Sequence, residues 1–441
     1  MITYKGDELF YDGHAIAQLA DRFPTPFFLF SERVLAANYN RLLEAFSSLP
    51  AGVVIDYCVK TNHEPALLGV LHDMGAGAMV SCGWELQLAV AAGFDPERIT
   101  FHGPCKTRQE LDAAVSAGVG LIHVYSEEEL DQLSQIAAAY RRPVKIALRL
   151  PTPDPWWARG LAGWYAQRLG IPWHAAERAF QRACASAWLC PVGISVHVGT
   201  QVTRPDPYRR AIQQMVQLAE GLGKAGIVIR EIGLGGGWPS DTLQPLTLKA
   251  LVRDVDWRTS QFASPAPDSL ARQVANAFRR EVAQSRLLTA PRLRLEPGRG
   301  IVGSAGLLVT RVVTLRDRWV FVDGSRNVLP ETLFPARRLI LPVVWNARAK
   351  ARRCHLAGRT LNTMDVLALG VRLPPVQLGD VLAFLDAGAY SLSRACHYAG
   401  TVPDVYLLKR TETVVHIREE DRYEHIVAPV VFPDQRAAVL E

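Results

Sequence analysis

The sequence VVIDYCVKTN, residues 53–62, is the stretch from which the fold can be worked out. Its apolar start, Val53 to Ile55, predicts a buried strand, and Lys60 follows at the end of that strand. A lysine at such a place is unusual because a buried ammonium is costly unless it is paired or deprotonated. With a lowered pKa, a lysine can form a Schiff base with an aldehyde. The plainer interpretation, a side chain that reaches from the strand end to solvent, is favoured by this stretch alone.

From residue 50 onward, short apolar strands alternate with amphipathic helices. Eight strands and seven intervening helices in about 250 residues match a closed parallel barrel, the (β/α)8 TIM-like class of α/β fold. A doubly wound open sheet is the alternative, but it usually carries an early GxGxxG motif, which is absent here. The predicted strands are Val53–Val59, Ala78–Ser81, Ile99–His102, Gly120–Val124, Val144–Leu150, Gly193–His197, Ile229–Leu234 and Leu293–Glu296. The predicted helices are Pro65–Met74, Trp84–Ala92, Arg108–Ala117, Glu127–Ala139, Ala175–Ala185, Tyr208–Ala225 and Asp268–Leu287.

After about residue 307 the strands become alternating, as in Leu307–Thr314 and Val381–Phe384, and helical periodicity nearly disappears. This pattern is typical of a mostly antiparallel β domain. We therefore predict an N-terminal segment, residues 1–45, that partly joins the β domain, a barrel over residues 46–306, and the β domain over residues 307–441. Residues 151–173, rich in Trp and Pro, predict a long loop or lid after the fifth strand.

Composition excludes several classes of function. The chain has 441 residues, of which 49% are apolar, and a net charge of +6 that is spread along the sequence, so a solvated surface is favoured over a nucleic-acid footprint. Seven cysteines at irregular spacing suggest a reducing compartment, and no His or Cys cluster has the spacing of a zinc site. The start of the chain is polar and no apolar run is long enough to span a membrane. We expect a soluble cytoplasmic protein without a metal site.

The chemistry of a barrel collects at the C-terminal ends of its strands. Lys60 ends the first predicted strand, residues 197–201 end the sixth, Gly235, Gly236 and Gly237 follow the seventh, and residues 296–300 end the eighth. Glycines let several backbone N–H groups approach a phosphate, and barrels often bind phosphate after strands seven and eight. Tight turns would also explain the glycines. Arg299 could add a charge-assisted contact to the same phosphate.

Two further residues point to the ligand that carries this phosphate. Glu296 would be repelled by a phosphate unless it met a cation, such as a protonated pyridine nitrogen. His197 is either an ordinary core histidine or a ring that stacks on a flat cofactor at the barrel mouth. A phosphate site, a lysine, a carboxylate and a flat ring together describe pyridoxal 5'-phosphate (PLP), whose ring acts as an electron sink.

The chain resembles the alanine-racemase-type (fold type III) PLP decarboxylases, the group of diaminopimelate, ornithine and arginine decarboxylases, and resembles the diaminopimelate enzymes most. The resemblance covers nearly the whole chain, and its motifs are specific when taken together. They are Tyr57 to Asn62, Phe101 to Lys106, His197 to Gln201, Gly235 to Pro239, Glu296 to Arg299, Gly379-Asp380 and Asp386 to Tyr390. The family fold is a barrel with a β domain, and its members are usually homodimers with shared active sites.

The resemblance implies roles for the matching residues. Lys60 would hold PLP, His197 would stack on its ring, and Glu296 would pair with the pyridine nitrogen. The phosphate would be bound by residues of four segments: Thr200, Gly235, Gly236, Gly237, Gly298, Arg299 and Tyr390. The activity implied is decarboxylation of a small-molecule amino acid, free or conjugated, with no nucleic acid and no membrane as partner.

The departures from the family lie on the substrate side. The family carries a Gly-x-x-Cys-x-x-x-Asp segment whose cysteine donates a proton, and here Leu361 stands in its place, with Asn362 and Asp365 after it. Met79 replaces an acidic residue, and no clear counterpart of the carboxylate-binding arginine lies near Glu331, so Arg326 or Arg337 could substitute. A specialised decarboxylase is therefore favoured. The alternatives are a housekeeping meso-diaminopimelate decarboxylase, a PLP-dependent racemase or epimerase, and a non-catalytic relative.

Overall fold

The computed structural model describes residues 2–152, 168–240, 242–245, 267–285, 287–288, 290–331, 336–345 and 350–430. The chain begins with a small sheet, a short helix, a strand that leaves for the second domain, and a longer helix. These elements are β1 (Ile2–Lys5), β2 (Glu8–Tyr11), β3 (His14–Ala15), α1 (Ile16–Arg22), β4 (Phe27–Ser31) and α2 (Glu32–Ala45). Within the described residues, the search for a helix able to cross a membrane finds none.

Eight parallel strands then close into a barrel, which confirms the predicted fold class. Between consecutive barrel strands the described chain carries helices, as a right-handed parallel crossover requires. The elements are β5 (Val53–Cys58), α3 (Pro65–Asp73), β6 (Gly77–Val80), α4 (Gly83–Ala91), β7 (Ile99–Phe101), α5 (Arg108–Ala117), β8 (Leu121–Val124), α6 (Glu127–Ala139), β9 (Val144–Arg149), α7 (Ala176–Cys184), β10 (Leu189–Ser195), α8 (Asp206–Lys224), β11 (Glu231–Gly235), the two-residue β12 (Gln244–Pro245) outside the barrel, α9 (Pro267–Gln284), β13 (Arg292–Leu295) and α10 (Arg299–Val302).

The barrel strands are apolar because both of their faces are covered. All residues of β6, β7 and β8 are buried, and the barrel core continues into the helices that surround it. Local caps mark where helices begin: the Thr107 hydroxyl accepts from the Glu110 N–H while the Glu110 carboxylate accepts from the Thr107 N–H and hydroxyl. Every predicted barrel strand is found, with ends that differ by a few residues.

The second domain is a mixed, mostly antiparallel nine-stranded sheet. Its longest strand, β14 (Gly306–Arg316), pairs with both the N-terminal β4 and β20 (Val381–Phe384). The remaining elements of the chain are β14 (Gly306–Arg316), β15 (Trp319–Val322), β16 (Ala336–Arg337), β17 (Ile340–Pro342), β18 (Arg352–Ala357), β19 (Val366–Leu373), β20 (Val381–Phe384), β21 (Val405–Leu408), β22 (Val414–Arg418) and α11 (Tyr423–Val427). The boundaries at residues 45 and 306 stay a prediction.

The β domain is joined to the barrel at the turn that carries Lys60. The Tyr390 N–H and the Ser393 hydroxyl both donate to the Thr61 carbonyl, at 2.8 and 3.0 Å. The Asn62 side-chain amide donates to the Gly388 carbonyl at 2.9 Å. Through these three hydrogen bonds, residues 388–393 hold the turn after β5, although they lie more than 300 residues away in sequence.

Candidate active site

Lys60 lies at the mouth of the barrel, on the single 3-10 turn Val59–Thr61 that follows β5. The residue is exposed, while its neighbours Val59 and Thr61 are buried. The pKa of Lys60 is raised, first because negative charge at Cys58 and then at Tyr390 favours the ammonium, although burial acts in the opposite direction. The direction is opposite to the lowered pKa that the sequence argument attached to a Schiff-base lysine, and it favours the ammonium form of Lys60.

His197 follows β10 at the next part of the mouth. Its Nδ1 accepts from the Gly236 N–H at 3.2 Å, so the neutral ring carries its proton on Nε2. Burial, together with the positive charges of Arg149 and Lys60, lowers the pKa of His197 to about 3. The ring is therefore uncharged at neutral pH and presents a flat face, as stacking on a planar cofactor requires.

This lowered pKa makes the stability of the cofactor-free protein depend on pH. The folded state binds the His197 proton only below a pKa of about 3, whereas the ordinary pKa of histidine is 6.5. Unfolding therefore takes up one proton between these two values, so stability falls as the pH falls through that window. We expect His197→Asn to reduce the slope of unfolding free energy against pH by about 1.4 kcal/mol per pH unit. Urea unfolding at several pH values measures it, with the exposed His425→Asn as control. Equal slopes for His197→Asn and the wild type would contradict the assignment.

The glycine segments form a close-fitting cradle around the same mouth. Gly237 has a positive φ of 88°, and a Cβ there would lie 2.7 Å from the Gly199 carbonyl oxygen. A Cβ on Gly298 would lie 2.0 Å from the Thr61 hydroxyl oxygen, so only glycine fits without displacing the lysine turn. Thr200 is exposed beside Gly199 on the loop after β10. The backbone of these loops can thus approach a bound group closely.

Arg299 supplies the charge at this cradle. Its Cζ lies 4.9 Å from the centroid of the Tyr390 ring, and its Nη2 donates to Glu331 Oε2 at 2.6 Å. Arg394 contacts the other oxygen of Glu331 at 3.1 Å. The Nε and Nη1 atoms of Arg299 are buried without a hydrogen-bond partner among the described residues. Unpaired guanidinium N–H groups in a glycine cradle suit an anion such as a phosphate.

Glu296 ends β13 and lies buried between two histidines. Its Oε1 is 2.8 Å from His102 Nε2 and 4.0 Å from His123 Nε2. These three residues bring one ligand atom each within 4.8 Å of one another. The two imidazole rings, however, are stacked with centroids 3.6 Å apart, and a metal cannot lie in the planes of two parallel rings at once. The cluster is therefore better suited to hydrogen bonding than to holding a metal.

Several buried polar residues at the mouth were not predicted as site residues. Glu85 accepts from the Ser81 N–H and hydroxyl and interacts electrostatically with Lys60. Tyr125 and His102 both follow barrel strands, so the strand-end rule that selected Lys60 could have selected them too. No motif or strand end in the sequence indicated that Arg338 belongs to the site. Its Nε donates to the Asp386 carbonyl at 3.1 Å, while its buried Nη1 and Nη2 have no partner among the described residues.

Two other substrate-side residues predicted from the sequence, Asn362 and Asp365, lie on a loop that Arg326 contacts. Asp365 is buried and accepts from the Arg326 N–H at 2.7 Å and from Thr360, so it orders its own loop. Leu361 on that loop is 95% exposed, beside Asn362. Among the described residues, no hydrogen bond or ion pair joins this loop to the mouth residues named above. The side chain of Arg337 and residues 153–167, which include Trp156, Trp157 and Trp164, lie outside what the structure describes.

The residues present fit PLP. The glycine cradle and the unpaired nitrogens of Arg299 suit the phosphate, and the buried Glu296 supplies a carboxylate for a ring nitrogen. His197 offers a neutral ring and Lys60 an amine at the same mouth. Lys60, His197, Glu296, Arg299 and Tyr390, predicted from separate parts of the sequence, are brought together here.

The chain is similar to known pyridoxal-dependent enzymes. Residues 35–303 match the family model described as pyridoxal-dependent decarboxylase, pyridoxal binding domain. The chain is 32% identical to a diaminopimelate decarboxylase of Aquifex aeolicus and 30% identical to one of Pseudomonas aeruginosa, with 97% of each chain covered in both cases. A crystal structure of the Methanocaldococcus jannaschii diaminopimelate decarboxylase superposes with a TM-score of 0.87 at 26% identity, covering 98% of each chain.

Proposed function

Starting from the fact that this chain belongs to the pyridoxal-dependent decarboxylases, we propose which of its residues perform the reaction and which substrates it accepts. The chain is a PLP-dependent carboxy-lyase of amino-acid metabolism. The observation that carries the assignment of residues is the meeting of Lys60, Glu296 and the Arg299 cradle at one end of the barrel. Lys60 follows β5, whereas Glu296 and Arg299 both follow β13, so the C-terminal ends of two neighbouring strands supply these groups.

Each residue at the mouth has a role in the reaction that follows from its charge and its position. When bound, PLP supplies an electron sink for the carbanion that forms as CO2 leaves. Lys60 would hold the cofactor through its Nζ. Glu296 would keep the pyridine nitrogen protonated, and Arg299 with the glycine loops would hold the phosphate. The neutral His197 ring would pack on the cofactor face without adding a charge.

The return of a proton to Cα needs a donor other than residue 361. Leucine has no acidic proton, and Leu361 is almost fully exposed on its loop. We assign the donation to Lys60, whose raised pKa keeps it protonated when it is released from the cofactor, or to water.

On the substrate side we propose an amino acid other than meso-diaminopimelate, for example a larger diamino-acid conjugate. Leu361 and Asn362 replace groups with which the family handles its substrate, and Glu331 is already shared by Arg299 and Arg394. Arg338, with two buried and unpaired nitrogens, is the described residue best placed to bind an anionic group near Arg299. The second candidate is meso-diaminopimelate itself, which the names of the relatives favour.

Arg338→Met is expected to raise KM for a substrate with an acidic side-chain group by about tenfold or more, because a buried charged hydrogen bond is lost. Its kcat changes less, since the reacting atoms are not touched. Steady-state kinetics with PLP-saturated enzyme measures the effect. The control is Arg394→Met, which removes an exposed guanidinium that pairs with Glu331. This variant should change KM little. A normal KM for Arg338→Met would remove it from the substrate site.

The proposed function is tested by CO2 release from the PLP-loaded protein over a panel of meso-diaminopimelate, lysine, ornithine, arginine, glutamate and diamino-acid conjugates. Release only from a member other than meso-diaminopimelate supports the proposal. Release from meso-diaminopimelate alone supports the second candidate. Retained binding of PLP with no release from any member would contradict both candidates.

We also propose that the active protein is a homodimer. Leu361, Met364 and Tyr398 are large apolar side chains that are 95%, 62% and 57% exposed. Arg326 and Asn327, adjacent in sequence, donate to the Met364 and Tyr398 carbonyls, so the two segments lie side by side. Such a patch is typical of an interface. Light scattering after size exclusion should give twice the chain mass, and Leu361→Glu with Met364→Glu should shift it toward the monomer.

A further inference from the structure

Two histidines, His102 and His123, lie against the carboxylate of Glu296. His102 Nε2 lies 2.8 Å from its Oε1, and the stacked His123 ring lies behind His102. All three side chains are buried. None of these histidines is used by the proposed mechanism, although both are placed against the one carboxylate on which it depends.

The Tyr125 hydroxyl lies against one ring nitrogen of His102. Its oxygen is 3.1 Å from His102 Nδ1, which is within hydrogen-bonding distance. When Nδ1 accepts from this hydroxyl, a neutral His102 carries its proton on Nε2, which is the atom that faces Glu296. Donation then runs in one direction, from Tyr125 through His102 to Glu296.

His102 remains neutral in this position. Burial, first, and then the positive charges of Arg149 and Lys106 lower its pKa well below the ordinary value. A neutral donor stabilises the carboxylate without cancelling its charge, whereas an imidazolium would neutralise Glu296 and repel a pyridinium. Lys106 is itself fixed by contacts with Glu129 and the His123 carbonyl.

His123 gives the arrangement its rigidity. Its Nδ1 lies 2.8 Å from the Ser195 hydroxyl on β10, and its ring stacks on His102 at 3.6 Å. The pKa of His123 is also lowered well below its ordinary value, first by burial and then by His102. Two neutral stacked rings, each tied at Nδ1 to a hydroxyl, allow His102 little rotation.

We propose that His102, oriented by Tyr125, is a positioning residue that holds Glu296 Oε1 and thereby directs the other carboxylate oxygen at the pyridine nitrogen of PLP. His102 Nε2 and Glu296 Oε1 are 2.8 Å apart, although their angles do not meet those of a hydrogen bond. A small rotation of the carboxylate would align the two atoms. The proposal rests on the proposed role of Glu296. It adds two residues that position this carboxylate: His102, which follows β7, and Tyr125, which follows β8.

The test uses holoenzyme loaded with PLP labelled with ¹⁵N in the pyridine ring, and its readout is the ¹⁵N chemical shift of that nitrogen. The wild type is expected to show the protonated nitrogen. His102→Leu should move the shift toward the neutral nitrogen and weaken PLP binding about tenfold, because the carboxylate loses a charge-assisted hydrogen bond. His102→Gln, whose amide nitrogen reaches the place of Nε2, should restore most of both values.

Two further variants distinguish an error in the role of His102 from an error in the role of Glu296. Tyr125→Phe removes only the hydroxyl and should move the ¹⁵N shift in the same direction by a smaller amount, so it carries the test if His102→Leu does not fold. Glu296→Gln is measured in parallel. A normal ¹⁵N shift in His102→Leu or, failing that variant, in Tyr125→Phe, together with a changed shift in Glu296→Gln, overturns this proposal and leaves the proposed function standing. A normal shift in Glu296→Gln overturns the role of Glu296 itself.

Discussion

Lys60→Ala is expected to abolish decarboxylation, with a loss of kcat on the order of 10⁴-fold or more. Lys60 is the amine at the end of β5, and alanine can neither anchor PLP covalently nor return a proton to Cα. The neighbouring contacts that hold the turn are made by Thr61 and Asn62 rather than by the lysine side chain, so the fold should survive. CO2 release measures the activity, and borohydride reduction followed by peptide mass spectrometry measures the attachment.

The control for this variant is Lys145→Ala, which changes an exposed lysine near the N-terminal end of β9, the end opposite to the barrel mouth. It should retain wild-type activity and a PLP adduct on the peptide that contains Lys60. An active Lys60→Ala protein, or an adduct on another lysine in the wild type, would contradict the assignment of the anchor.

Glu296→Gln should lower kcat by about 10² to 10³-fold while PLP remains bound. Glutamine has nearly the same shape, but it carries no charge to hold a proton on the pyridine nitrogen. Because Glu296 is buried, solvent cannot replace the missing charge. Steady-state kinetics at saturating PLP measures the loss, and the visible absorbance of bound PLP shows that the cofactor is present.

The comparison variant is Glu97→Gln, which removes an exposed carboxylate at the N-terminal side of β7. It should leave kcat unchanged. If Glu296→Gln kept more than half of the wild-type kcat, the pyridine nitrogen would not depend on this carboxylate.

The barrel could be predicted because its signals are local. Strands buried on both faces appear as short apolar runs, and the helices between them, such as Arg108–Ala117, show helical periodicity and a capping box. Once the strands were placed, the position of Lys60, His197 and Glu296 at one mouth followed from the direction of parallel strands. The resemblance then added Tyr390, which no strand-end argument could reach.

Other features depend on contacts between distant parts of the chain. The place of β4 in the second sheet rests on pairing with β14 and β21, which begin about 280 and 380 residues later. Arg338 gives no local signal, because its importance lies in burial and in unpaired nitrogens. The stacking of His102 on His123 likewise follows from the neighbouring ends of β7 and β8, and a single-sequence pattern does not contain it.

The central claim is that this protein breaks the bond from Cα to the carboxylate. The most direct measurement follows CO2 release and deuterium incorporation at Cα together, for PLP-loaded enzyme with an accepted amino acid in deuterated water. The account predicts one CO2 and one deuterium at Cα for each molecule of product. Deuterium entering Cα of unchanged amino acid without CO2 would contradict it and identify a racemase or epimerase instead.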